Sequence, residues 1–248
     1  MRPISKIDLQ TLGAAGQYFS DCYLLSSIGA LSRCENGQRI LKQNIQREGN
    51  DFFVKFNNVN GKAENYFVSA EECKQLVEQK LDFDTPTHEI INAVEVAMDK
   101  LIKAHPDKKS FISKLLCIYE IDKLRRFESN FVSNFLEMFT GIKPLTLNEK
   151  TLRMTLKKHQ SEATGLMYAM GECQGSFVFG TGYKRHNALS NFHCYEMVKS
   201  HPQLEQVEIT EHRDNKIITL NYREVINNFK YICGYFDNML APKSEVLK

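Results

Sequence analysis

The chain has no tryptophan, no surplus of charge of either sign, and no apolar run approaching the roughly 18 residues that a membrane span needs. Its 32 basic and 30 acidic residues leave a net charge of +2, so no global field draws it to nucleic acid or to an anionic membrane. The basic pairs Arg125-Arg126 and Lys157-Lys158 are short and flanked by acids or apolar residues, and they read as solvated faces. The opening "MRPISKIDLQ" lacks an apolar core of signal-peptide length, which predicts a chain without a cleaved leader. Seven cysteines, odd in number and widely spread, form no CxxC pair; this argues against a disulfide framework and a zinc cluster, and fits a reducing compartment. No acid cluster has the spacing of a calcium loop, so neither a metal nor a cofactor is expected. There is no internal repeat and no low-complexity stretch.

What is present is an ordinary globular composition. With 248 residues and 42% hydrophobic side chains, the chain can build one large domain or two small lobes sharing a cleft. From position 22 to 33, Tyr23, Leu24, Leu25, Ile28 and Leu31 recur at helical spacing, with Ser20 or Asp21 available as a cap. A second helix is expected from about Gly37 to Gln46, ended by "REGN". "DFFVKFNNVNGKAENYFVS" reads as two strands turning at Asn60-Gly61, after which Ser69, Glu71 and Glu72 start a helix. "THEIINAVEVAMDKLIKAH" is amphipathic and closed by Pro106, and residues 107 to 140 are expected to be mainly helical.

Gly141 and Pro144 then break the pattern and mark a lobe boundary. "NEKTLRMTLKKHQ" predicts one more helix. Beyond it, "TGLMYAMGEC", "GSFVFGTGY", "HCYEMVKS", "QVEITEH" and "KIITLNY" are short strand-like runs, and "REVINNFKYICGYF" is a helix leading into a last strand. The expected class is α+β, with a helical lobe over 1–144 and a β-rich lobe over 145–248.

Cys22 stands at the head of the first apolar helix, where unpaired amides and the helix dipole favour a thiolate. A cysteine in such a helix is ordinarily a small core residue, so the reading depends on a partner base. Among seven histidines, His88, His105 and His159 lie on or beside surface helices, and His201 and His212 lie near turns. His193 differs, because it opens a buried strand on which His193, Tyr195 and Met197 share one face and Cys194, Glu196 and Val198 the other. A group that orients the imidazole is expected from the following strand, where Glu211, Asp214 and Asn215 are available. Gln17, just upstream, can act with the Cys22 amide as donor to an oxyanion.

"GQYFSDCYLLSSIGAL" resembles the active-site helix of calpain-like cysteine proteases, matching it at Asp21, Cys22, Tyr23, Leu24 and Leu25. In the same chain order, "AVEVAMDKL", "SNFVSNFLEMFTG" and "FHCYEMV" resemble that family's Leu-Glu-Lys-Ala-Tyr-Ala-Lys helix, the segment ending in Leu-Thr-Gly, and its Gly-His-Ala-Tyr-Ser-Val strand. The resemblance spans roughly residues 12 to 236 and implies a papain-like fold, with Cys22 as nucleophile on one lobe and His193 as general base on the other. It also implies Gln17 as oxyanion donor, although Gln17 lies five residues before the cysteine where the family has six, and Ser20 stands where the family has glycine. The family's Asn-Pro-Trp is replaced: Glu211 and His212 occupy the Asn and Pro places. The shorter side chains of Asp214 and Asn215 are ranked ahead of Glu211 as the third member.

The expected function is thus a thiol peptidase acting on protein substrates, without cofactor or metal. A glutamine deamidase or transglutaminase on the same core would use the same dyad. A binding module that kept the fold and lost the chemistry is the reading from another class. Calpain-like cores without the calcium-binding modules of animal calpains occur in bacterial proteins, some of them delivered into host cells. A lysine- and asparagine-rich composition fits such a cytosol-acting effector, whose protein substrate would be a host-cell one.

Overall fold

The computed structural model describes residues 2–5, 22–59, 61–80, 88–105, 130–148, 169–170, 175–182, 186–191, 193–211 and 216–242. Among them are two antiparallel sheets and six α-helices, an α+β arrangement. The first sheet has the order β1-β2-β3-β4, formed by Arg2–Pro3, Ile45–Glu48, Asp51–Val59 and Lys62–Val68. Helices α1 (Cys22–Ser32), α2 (Glu35–Asn44), α3 (Ala70–Lys80), α4 (Glu89–Ala104) and α5 (Asn130–Thr140) accompany it. The second sheet has six strands in the order β5-β10-β6-β7-β8-β9. They are β5 (Leu145–Asn148), β6 (Ser176–Thr181), β7 (Cys194–His201), β8 (Gln206–Thr210), β9 (Ile217–Asn221) and β10 (Phe229–Tyr235). A short helix, α6 (Tyr222–Asn228), joins β9 to β10.

Local chemistry accounts for these elements. The expected hairpin is β3–β4: Phe52, Val54 and Phe56 alternate inward, and Gly61 takes φ +79 in the turn, a left-handed angle that glycine adopts without a Cβ clash. Helix α3 starts on a reciprocal cap, the Ser69 hydroxyl accepting from the Glu72 amide at 3.2 Å while the Glu72 carboxylate accepts from the Ser69 amide at 2.9 Å. Helix α4 buries Ile90, Ile91, Val94, Met98 and Leu101 along one stripe and is capped by the ring of His88. Two expectations are corrected. The helix expected to run to about Gln46 ends at Asn44, and Ile45–Glu48 form strand β2, because Ile45 buries its side chain and pairs with Val54. Ala169 and Met170, expected to be strand, are helical. Most of the segment 107–140 and the helix expected at 148–160 lie outside the described residues; of the former, 130–140 is helical.

Strand alternation divides the buried residues into two cores. Val178, Cys194, Tyr231, Cys233 and Tyr235 point from the second sheet into a core shared with α1, α2, α4, α5 and the first sheet. Phe177, Phe179, Tyr195, Met197 and Ile232 point the other way, into a core closed by Tyr222, Val225 and Ile226 of α6. Helix α1 packs on β6 and β7 of the second sheet and against α2 and α5, with every residue from Cys22 to Leu31 buried. The two halves of the chain are further tied by Tyr235, whose hydroxyl donates to the Ile142 carbonyl at 2.6 Å, and by Asn36, whose amide donates to Asp237 at 2.9 Å.

Candidate active site

Helix α1 begins at Cys22 itself, so the thiol lies beside the unpaired amides of the first turn. The helix is fixed to β7 along one face. The Ser26 hydroxyl donates to the Cys194 carbonyl at 3.0 Å, and just past the helix Arg33 Nε donates to the fully buried Glu196 at 3.0 Å. Cys22 and Ser26, four residues apart, share one face of the helix, so the Ser26 tie lies one turn from the thiol.

His193 immediately precedes β7 and is held by its backbone. Its amide donates to Thr181 Oγ1 at 2.9 Å, and its carbonyl accepts from the Thr181 amide at 2.9 Å. The same threonine hydroxyl reaches the Ser190 carbonyl at 2.8 Å, fastening the loop before His193 to the end of β6. The imidazole stands edge-on to the Tyr195 ring, with centroids 4.9 Å apart. Its Nε2 is buried, makes no hydrogen bond, and faces Glu211 Oε2 at 3.7 Å; each of the two side chains is 12% exposed. Tyr195 stabilises this corner from below, since its hydroxyl accepts from the Ser190 amide at 2.6 Å and also interacts with Glu211.

Cys22 and His193, expected to meet, are neighbours close enough for the histidine to lower the pKa of the thiol. Cys194 is a neighbour that sequence reading had assigned only to a strand face. The Cys22 thiol is held well above its ordinary pKa, first by a hydrogen bond with Cys194 and then by burial, while His193 opposes both. The Cys22 sulfur therefore rests as the thiol rather than as a preformed thiolate. Behind Cys194, its sulfur is 3.1 Å from the Tyr231 hydroxyl. Tyr231, Gly180 and Cys194 form one row across β10, β6 and β7. A Cβ on Gly180 would come within 2.1 Å of the Tyr231 ring, so only glycine lets the tyrosine cross β6 to reach the cysteine.

Of the three candidates for the orienting group, Glu211 is the one beside His193; Asp214 and Asn215 lie outside the described residues, as does Gln17. The remaining described histidines have structural partners: His88 caps α4, His105 meets Glu64 at 2.9 Å, His186 accepts from the Ala188 amide at 3.3 Å and lies 3.8 Å from Glu224, and His201 meets Glu208 at 2.8 Å. Among the described residues no group of three or more His, Cys, Asp and Glu side chains is arranged to hold a metal ion. No described helix is long and apolar enough to cross a membrane.

Thr181 and Tyr195 were missed as site residues. Tyr195 carried a signal in the sequence, because it shares the strand face of His193 two residues on. Thr181 carried none, since its role depends on strand pairing. No protein-family model matches the chain, and no curated protein matches it.

Proposed function

We propose that this chain is a thiol-dependent peptidase, a calpain-like enzyme on a papain-like core, with Cys22 as nucleophile and His193 as general base. The observation that supports this most is that Cys22 at the head of α1 and His193 at the head of β7, far apart in the sequence, are neighbours, with His193 lowering the pKa of the thiol. In this reading the scissile carbonyl approaches Cys22 over the N-terminus of α1. Because the thiol rests protonated, its proton passes to His193 as sulfur attacks carbon.

The tetrahedral oxyanion is then held by the Cys22 amide and Gln17. Imidazolium forms at that moment, and Glu211, facing Nε2, stabilises the new positive charge and fixes the ring. With Nε2 turned to the carboxylate, the other ring nitrogen is the one left for sulfur. His193 next protonates the leaving amine, the acyl group remains on Cys22, and water activated by the same histidine releases it. The substrate class is a peptide amide within a protein, and the reaction needs no cofactor.

The catalytically silent binding module is the second reading, favoured by the burial that holds Cys22 protonated. A peptidyl electrophile with an epoxide warhead separates the two. A peptidase is labelled at Cys22 with loss of casein or peptide cleavage, and neither labelling nor cleavage survives in Cys22→Ala. Absence of labelling at Cys22 together with absence of cleavage supports the binding module.

A further inference from the structure

Cys194 takes no part in the mechanism above, yet it is the neighbour that acts most strongly on the nucleophile's thiol. It lies directly beneath α1, its carbonyl bound by Ser26 at 3.0 Å, and its side chain is turned into the core that holds Cys22. The two cysteine side chains are neighbours across the α1–β7 packing, one turn from the Ser26 tie, and both thiols are free. Cys34, Cys73 and Cys233 lie in the same core, but Cys194 is the cysteine among the principal neighbours of the Cys22 thiol; Cys233 lies 3.4 Å from Thr146. The Arg33–Glu196 pair holds the same helix to the same strand one stretch further along, which keeps the two cysteines on facing elements. Closing a bond then needs side-chain rotation that brings the sulfurs to about 2.05 Å.

We propose that Cys22 and Cys194 form a reversible disulfide, so that peroxide oxidation of the nucleophile ends in a bond between α1 and β7. The Cys22 sulfur attacks one oxygen of hydrogen peroxide, the O–O bond breaks, and the hydroxide that leaves takes up the thiol proton as water. This leaves Cys22 as a sulfenic acid. The Cys194 sulfur then attacks Cys22 sulfur, the S–O bond breaks, and the departing hydroxide takes up the Cys194 proton as a second water. Two thiols have lost two electrons and two protons, and one peroxide has become two waters. A dithiol reductant reverses the step by exchange. Capture of the sulfenic acid by its neighbour keeps Cys22 from going on to the irreversible sulfinic acid. Only the consequence for catalysis rests on the peptidase reading; the disulfide itself rests on the two neighbouring thiols.

The reduced 248-residue chain is titrated with hydrogen peroxide, quenched with N-ethylmaleimide, digested and mapped by mass spectrometry. The expected result is a loss of two hydrogens in intact mass and a cross-linked peptide pair joining Cys22 to Cys194, both reversed by dithiothreitol. In Cys194→Ala the cross-link is absent and Cys22 sulfinic acid accumulates at peroxide doses where the wild type shows none. Sulfinic acid at Cys22 of the wild type before any cross-link overturns the proposal, and so does a Cys22 disulfide to a different cysteine. The wild-type map needs no variant to fold and no catalytic activity. It is therefore independent of the peptidase reading, which fails separately if Cys22→Ala retains cleavage.

Discussion

At the scale of single residues, the Cys22 thiol is set by three opposing influences. The hydrogen bond with Cys194 raises its pKa most, burial raises it further, and His193 alone among the principal neighbours lowers it. Removing each neighbour therefore has a sign. In Cys194→Ala the largest upward influence is gone, so the midpoint of Cys22 alkylation by iodoacetamide moves to lower pH and the rate at pH 7 rises. In His193→Ala the downward influence is gone, so the midpoint moves to higher pH and the rate at pH 7 falls. Peptide-resolved alkylation rates across pH 6 to 10 check both. Shifts in the same direction, or no shift in either variant, contradict this arrangement of groups.

Element contacts decide whether those residues stay in place. Helix α1 is fastened to β7 at its far end by Arg33 and the buried Glu196. Replacing the arginine removes a cation from beside a carboxylate that water does not reach, so Arg33→Met is expected to cost about 3 kcal/mol of stability. Equilibrium urea unfolding measures it, and a cost near zero would mean that Glu196 needs no cation.

Helix α4 is docked through carboxylates of a different kind. Burial tends to raise Glu64, but hydrogen bonds from His105 and Tyr66 outweigh it and hold the carboxyl below its ordinary range. For Glu72, burial is likewise outweighed by hydrogen bonds from Lys100 and Ser69. A depressed carboxylate contributes stability above its unfolded value of about 4.3, and loses it as pH falls through the lower folded value. Unfolding free energy should accordingly fall below about pH 4, and Lys100→Met should flatten part of that slope. A slope unchanged in that variant would remove Glu72 from the acid response.

For the whole molecule, the consequential feature is a core that both halves build. Helices α1 and α5 pack in the same cluster as Tyr231, Cys233 and Tyr235 of the second sheet, so neither half covers its own apolar face. Fragments 1–144 and 145–248 expressed apart are expected to lack a cooperative thermal transition, while the intact chain melts once. A cooperative melt of either fragment alone would show that the cores are separable.

Much of this organisation was legible in the sequence, because it rests on periodicity. The α1 stripe, the β3–β4 alternation and the β7 strand behind His193 are local patterns. The approach of His193 to Cys22 was legible only through motif order, and Glu211 could not be chosen over its neighbours, since a three-residue difference along a loop leaves no periodic trace. Cys194 was hidden for a related reason. Alternation placed it on the face opposite His193, and nothing local showed that this face meets α1. The row formed by Tyr231, Gly180 and Cys194 exists only through strand pairing between distant segments.

The central claim is that Cys22 and His193 act as one catalytic pair. It is tested most directly by the second-order rate at which a peptidyl epoxide labels Cys22 at pH 7, in the wild type and in His193→Ala. The account predicts labelling confined to Cys22 in the wild type and a loss on the order of 10²-fold or more without the histidine, the scale of general-base assistance. Labelling spread over several cysteines, or a rate that His193→Ala leaves unchanged, would contradict it.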